Sequence, residues 1–472
     1  MQLRLYQNEA IEKLRTSIAS GHKKVILCAP TGAGKTVIFS EMCYQAGEKK
    51  KKVMILTDRF ELLTQSGGAL NRLKILPEYI QSITNHINKY WIYVAMIETL
   101  HRRLAKAEYL DLLQSIDLLI IDEAHKAVFD KLFPLLSEKT VVIGATATPY
   151  RQGKQESLDK YYTDLVEVTT VRKLIDAEYL AQPTYYGIPI DLQGVKTKGG
   201  DYDSESLAAM YSTRQVYKGV AKEYLNHAKG KKALLFASNV ASSKEVCAEL
   251  QAYGILTMHI DASCEPSERR NVLNWYKVTP NAVLCNVGIL TTGFDEPTTE
   301  CIILYRATKS LPLFLQMCGR GGRVAENKDG FTILDFGNNV QTHGFWCDER
   351  TWSLKKRERK TKPMPMAKYC PSCKALIPMK ARVCSVCEYD IPETKKESLQ
   401  RIANLTKLEV SKLASGRRMS DLVLLIQAKK LNPLYVLRKY ISNVEEARSL
   451  AKELGYKDGW IWRNQNIIGV SK

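Results

Sequence analysis

Short, continuous apolar runs rich in β-branched residues recur through the first 340 residues, and stretches of helical periodicity separate them. In the first half they fall at 24–29, 53–57, 93–97, 118–121 and 141–145; in the second they fall at 233–237, 257–260, 282–286, 301–305 and 331–336. Apolar residues at successive rather than alternate positions fit strands buried on both faces of a parallel sheet, with the helix-sized intervals as crossovers. The pattern predicts an α/β protein with two tandem parallel-sheet domains of five strands each.

Between the halves, roughly 180–232, Gly194 and the stretch Lys198-Gly199-Gly200-Asp201 predict a flexible excursion near 192–203, followed by helix. After Phe345 the composition shifts. Lys355-Lys356-Arg357-Glu358-Arg359-Lys360, with Pro363 and Pro365 beyond it, reads as an exposed connector. From about 396 to 472 the pattern is mainly helical.

The chain has 472 residues, 45% hydrophobic and 25% charged, which excludes a fully disordered chain and suggests roughly three domains. No apolar run approaches the ~18 residues that span a bilayer, and Met1 to Tyr6 shows no secretory pattern. The expectation is a cytoplasmic protein with no membrane partner. Charge is placed unevenly: residues 1–350 carry a net of +4, and residues 351–472 carry +15. A basic final quarter fits a polyanion-binding module, or else a solvated surface that aids solubility.

Ala29-Pro30-Thr31-Gly32-Ala33-Gly34-Lys35-Thr36 follows the first apolar run and opens a helical pattern. Small residues there let backbone N–H groups close around a phosphate chain at a helix N-terminus. Lys35 would reach the outer phosphates of ATP and Thr36 would ligate Mg²⁺. Leu118-Leu119-Ile120-Ile121 runs into Asp122-Glu123-Ala124-His125. Carboxylates at the end of a buried strand are poorly solvated and need a cation or a task. Asp122 suits Mg²⁺, and Glu123 suits the orientation and deprotonation of an attacking water.

Together with Gly144-Ala145-Thr146-Ala147-Thr148-Pro149 and Gln316-Met317-Cys318-Gly319-Arg320-Gly321-Gly322-Arg323, these patterns stand in the order found in superfamily 2 helicases of the DEAH-box type. The resemblance covers about residues 1–345 and is nearest to RadD-like bacterial and phage DNA repair helicases, with restriction translocases more distant. It implies a RecA-like domain at 1–180, a second at 181–345, and ATP hydrolysis coupled to movement along DNA or its unwinding. A motor that remodels protein–nucleic acid complexes without separating strands is the alternative. The resemblance also implies roles for single residues. Gln7, in Leu3-Arg4-Leu5-Tyr6-Gln7, would recognise adenine, and Thr31, Gly32, Ala33, Gly34, Lys35 and Thr36 would hold the phosphates. Gly293 and Asp295, in Leu290-Thr291-Thr292-Gly293-Phe294-Asp295, would meet the nucleotide. Arg59, Thr99 and Thr292 would contact nucleic acid. Gln316, Arg320 and Arg323 would complete the catalytic set with Lys35, Asp122 and Glu123. Single-stranded or forked DNA is the implied track, RNA stays open, and a single-strand-binding or repair protein is an implied partner.

Eight of the twelve cysteines are scattered; the other four form Cys370-Pro371-Ser372-Cys373 and Cys384-Ser385-Val386-Cys387. Two such pairs ten residues apart suit a tetrahedral Zn²⁺ site, although an iron–sulfur cluster accepts the same ligands. The expected layout is therefore a basic connector with a four-cysteine zinc module at 346–395 and a basic helical region at 396–472. Phe345, Trp346, Trp352 and Tyr369 could stack on bases or pin the connector to the second domain. Trp460-Ile461-Trp462 should pack rather than stand in solvent.

Overall fold

The computed structural model describes residues 3–58, 67–71, 73–82, 84, 86–151, 156–187, 192, 194–213, 219–291, 293–355, 367–391 and 419–464. They form two compact units, Met1–Met379 and Lys380–Lys472. Among them no helix is long and apolar enough to cross a membrane.

The larger unit holds two parallel sheets. Strands β1 (Lys24–Cys28), β2 (Val53–Thr57), β3 (Glu78–Ile80), β4 (Ile92–Met96), β5 (Leu118–Asp122), β6 (Val141–Thr146) and β7 (Asp164–Glu167) build the first. Its order is β3-β4-β2-β5-β6-β1-β7. The second contains β8 (Gln182–Gly187), β11 (Ala233–Ala237), β12 (Thr257–Ile260), β13 (Val283–Asn286), β14 (Cys301–Tyr305) and β15 (Gly330–Asp335), in the order β12-β13-β11-β14-β15-β8. β9 (Thr197–Lys198) and β10 (Asp201–Tyr202) lie between them in the chain. Every apolar run coincides with a strand. Within these two sheets the strands that the pattern missed, β3, β7 and β8, all lie at the edges. Helices α1 (Leu5–Ala19), α2 (Lys35–Glu48) and α3 (Ile97–Arg103) belong to the first lobe, and α4 (Val240–Ala252), α5 (Pro266–Val278) and α6 (Leu311–Gly319) to the second.

In the first sheet β6 lies between β5 and β1, with Ile143 opposite both Ile120 and Val25. That order brings the carboxyl ends of three adjacent strands together, where open α/β sheets form their ligand crevice.

The segment at 192–203 is not the free excursion expected from its glycines. β9 and β10 pair as an antiparallel ribbon turned at Gly199-Gly200. Asp201 anchors it, accepting from Thr308 Oγ1 and from the Lys309 backbone N–H, each at 2.6 Å.

For Phe345 and Trp346 the choice between stacking and docking is decided by burial. Trp346 is 1% exposed and meets Phe331 edge-on at 5.5 Å, while buried Phe345 meets Tyr185 at 4.9 Å. Both belong to the second lobe's core, where truncating a buried aromatic costs roughly 3–5 kcal/mol. The chain then returns to the first lobe. Trp352 packs against that lobe's core as well, and the Leu354 carbonyl accepts the Leu158 N–H at 3.1 Å. Next, β16 (Ala367–Tyr369) and β17 (Leu376–Pro378) form an antiparallel hairpin beside β8, joined through a Tyr186–Ala375 bridge. The side chain of Gln341 exchanges two hydrogen bonds with the backbone of Ala367.

The smaller unit contains α7 (Met419–Lys429), α8 (Pro433–Tyr440), α9 (Val444–Glu453) and α10 (Asp458–Asn464) around Leu425, Val436, Leu437, Ala447 and Leu450. Asn432 and Asn443 cap α8 and α9 through their side-chain oxygens, supplying acceptors that a helix start otherwise lacks. Ile461 is buried and Trp460 packs on the same core, stacked on Tyr456 at 4.5 Å. The side chain of Trp462 lies outside the described residues, as do residues 356–366 of the basic connector.

Candidate nucleotide cleft and cysteine cluster

The loop after β1 turns through Gly32 and Gly34, at φ +89° and +78°, and α2 starts at Lys35. Gly34 is doubly constrained: a β-carbon there would stand 2.6 Å from Gln7 Nε2 on a backbone that L residues rarely adopt. Gln7 is buried behind the loop rather than in the cleft. Its Nε2 donates to the Ala33 carbonyl at 3.2 Å, its Oε1 accepts the Arg4 N–H, and Tyr6 OH donates to the same Ala33 carbonyl. Ala33 likewise faces away, whereas Thr31, Gly32, Gly34, Lys35 and Thr36 line the cleft.

β5 delivers Asp122 to the same opening, and Glu123 follows it at φ +52°. A bulky residue held there by its surroundings stores strain, and such strain concentrates at working sites. The Glu123 N–H donates to Asp122 Oδ1 at 3.0 Å. Burial, with the neighbouring Glu123 charge, pushes the Asp122 carboxyl up. Burial pushes Glu123 up too, but the cations Lys35, Lys126 and Arg320 outweigh it and hold this carboxyl below its ordinary value. Burial depresses His125 despite Glu123 nearby. The His125 ring Nδ1 lies 2.8 Å from Thr146 Oγ1, which also accepts the Thr148 N–H at 3.0 Å. The acid pair is thus wired to the end of β6.

Sequence reasoning missed Arg151. Its buried guanidinium forks onto Asp130 at 2.7 and 2.9 Å and donates to the His125 carbonyl at 2.7 Å, fixing the turn beyond the acid pair. No local pattern marks it, because Asp130 is reached only through the fold.

From the second lobe, α6 is capped by Ser310 and carries Pro312 in its first turn. It aims Gln316 across the cleft, with Nε2 3.5 Å from Glu123 Oε2. At its end the lobes touch: a β-carbon on Gly319 would lie 2.9 Å from the Thr31 side chain. Arg320 donates to the Thr291 carbonyl at 2.7 and 3.2 Å and to the Phe294 carbonyl. Arg323 donates to Phe294 O at 3.3 Å and pairs with Asp295. Gly293, Asp295, Gln316, Arg320 and Arg323 face Lys35, Asp122 and Glu123 in one cleft. Thr99 sits on α3, outside that lining; Arg59 and Thr292 lie outside the described residues.

Residues 1–151 match the family model described as type III restriction enzyme, res subunit, and residues 216–325 match the helicase conserved C-terminal domain. A 51.5 kDa protein of Lactococcus phage (isolate 7-9) is 33% identical over 396 residues, covering 82% of each chain. The chain belongs to the superfamily 2 helicases. The yeast protein "Putative ATP-dependent helicase IRC3", from Saccharomyces cerevisiae, is 32% identical over 71% of this helicase, which spans 51% of the yeast protein. Among solved structures, an HsdR fragment of a type I restriction enzyme from Vibrio vulnificus has a TM-score of 0.56 at 21% identity, covering 72% of this chain and 65% of its own. The helicase MrfA, solved bound to DNA, has a TM-score of 0.51 at 16% identity, covering 71% and 49%. These likenesses concern the fold. This helicase is an ATP-hydrolysing enzyme.

Its cysteine pairs repeat one backbone scheme. In the first, the Cys370 N–H donates to Ala375 O and Lys374 N–H donates to Cys370 O; in the second, Cys384 N–H donates to Tyr389 O and Glu388 N–H to Cys384 O. Lys374 and Glu388 take matching left-handed conformations, φ +63° and +57°. The four sulfur atoms lie within 4.8 Å of one another. Zn–S bonds of about 2.3 Å in a tetrahedron put the sulfurs ~3.8 Å apart, a spacing that a cluster of this size can meet.

Proposed function

We propose that this helicase is a DNA-tracking motor of the RadD type, working in repair, recombination or replication, whose two lobes grip one ATP between them. The approach of Gln316 to Glu123 across the cleft carries the reading, because it makes the second lobe a sensor of the hydrolytic carboxylate. Lys35 would hold the outer phosphates, and Thr36 and Asp122 would hold Mg²⁺, which supplies charge neutralisation when bound. Glu123 takes the proton of the attacking water, and Arg320 and Arg323 answer the charge that develops on the phosphoryl group. Gln7 acts from behind, linking the adenine side to the phosphate loop through Ala33. The basic final quarter and the DNA-bound state of MrfA support DNA as the track. Arg59, Thr99 and Thr292 are the proposed strand contacts, and a single-strand-binding or repair protein is the proposed partner.

The test is steady-state ATP hydrolysis with single-stranded DNA, duplex DNA, forked DNA or RNA. Stimulation by single-stranded or forked DNA is expected. Preference for RNA would replace the track, and indifference to all four would transfer the trigger to a protein and favour remodelling.

The cysteine set is proposed to hold zinc. Metal analysis of purified protein should give about one equivalent, and no iron–sulfur absorption band. Stripping it with a chelator, or replacing Cys370 with Ser, should loosen residues 367–391 in hydrogen exchange, since so small a segment leans on its metal. Full protection without metal would refute the assignment.

A further inference from the structure

After Arg323 the chain reverses through Asn327, at φ +60°, and brings Lys328 back beneath the turn it has just left. The Lys328 ammonium donates to the Arg323 carbonyl at 2.6 Å, to the Gly321 carbonyl at 2.7 Å and to the Pro297 carbonyl at 2.9 Å. An ammonium has three N–H donors, and all three are used on backbone. Two of these acceptors lie in the turn that carries the cleft arginines. The third follows the loop whose Thr291 and Phe294 carbonyls receive Arg320.

These bonds close a ring. Arg320 ties its turn forward to Thr291 and Phe294, and Lys328 ties the same turn back to Pro297. We propose that Lys328 is a positioning residue for hydrolysis, fixing Arg320 and Arg323 against the Thr291–Pro297 loop so that both meet the nucleotide in register. It touches no reacting atom and acts through the carbonyls it holds. The inference rests on the proposed role of the two arginines.

Burial pushes the Lys328 ammonium down to about 8, with Arg323 acting in the same direction and Glu300 and Glu296 opposing. The remaining contact is the Phe331 ring, whose centroid is 5.9 Å from Nζ. A neutral amine has two N–H donors, so one carbonyl must be released as pH rises through that value. Turnover should therefore decline on the alkaline side for a reason local to this ring.

The experiment compares ATP turnover from pH 6.5 to 9.5 in the full chain with Lys328→Met, Lys328→Arg and Arg320→Ala, all under the nucleic acid that stimulates best. Lys328→Met should lower kcat roughly 10- to 100-fold at neutral pH, the scale of a small misplacement, with KM for ATP little changed. Lys328→Arg should restore most of that rate and stay flat where the native enzyme declines, because a guanidinium does not titrate there. Native kcat in Lys328→Met, or one alkaline decline shared by native enzyme and Lys328→Arg, would overturn the proposal. If Lys328→Met fails to fold, the pH profile of Lys328→Arg decides alone. Should Arg320→Ala itself turn over normally, the arginine reading has failed and this inference falls with it; an inactive Arg320→Ala beside a normal Lys328→Met overturns this inference alone.

Discussion

Glu123→Gln is expected to cut ATP turnover roughly 10²–10⁴-fold, the usual contribution of a positioned general base, while nucleotide binding persists. The change keeps the shape but removes the negative charge along with the basicity, which is why nucleotide binding is followed beside turnover. Glu123 is suited to the task because Lys35, Lys126 and Arg320 hold its carboxyl below the ordinary range, so it is ionised at neutral pH. Asp122 is pushed the opposite way by burial and by Glu123, which leaves two adjacent acids with different properties. Binding should be followed with a fluorescent nucleotide and turnover by phosphate release. Turnover within threefold of native would remove Glu123 from the mechanism.

Arg320→Ala is expected to lower kcat by roughly 10³–10⁵-fold, the range known for arginines that meet a transferring phosphoryl group. The effect should fall on kcat more than on KM, since charge on the phosphoryl oxygens grows toward the transition state. Arg320→Lys tests whether charge alone suffices. A lysine cannot span the two carbonyls that the guanidinium fork reaches at Thr291 and Phe294, so little recovery is expected. Near-native rates with lysine would reduce Arg320 to a local electrostatic contribution.

The sheets were legible where burial is complete. All the apolar runs became strands, most of them in sheet interiors where helices cover both faces and no polar residue interrupts the pattern. β3, β7 and β8 are edge strands with no continuous apolar run, so the pattern does not show them, whereas the edge strand β12 keeps enough apolar residues to be seen. β7 reads Asp-Leu-Val-Glu, and β8 carries exposed Gln182 followed by buried Pro183, a residue that edge positions tolerate. The glycines at 199–200 suggested looseness, but Asp201 lies next to them, and its two bonds to Thr308 and Lys309 become visible only once β14 is placed.

The cleft followed the same division. Residues in compact motifs could be named from their order alone, because the phosphate loop and the acid pair are continuous in sequence. Arg151 and Lys328 could not. Lys328 works through backbone carbonyls, which carry no side-chain signature, and Arg151 works through Asp130 and the His125 carbonyl, partners that only the fold brings within reach. Trp346 sat between two readings until its position against Phe331 placed it in the core.

The return of the chain from Trp346 to Leu354 has a mechanical consequence. The polypeptide crosses between the lobes once near Leu180, whose side chain lies against the phosphate loop at Gly32, and again where Leu354 meets Leu158. With the chain tied to the first lobe at both places, the movement of the lobes on binding ATP is expected to be narrower than a single linker would permit.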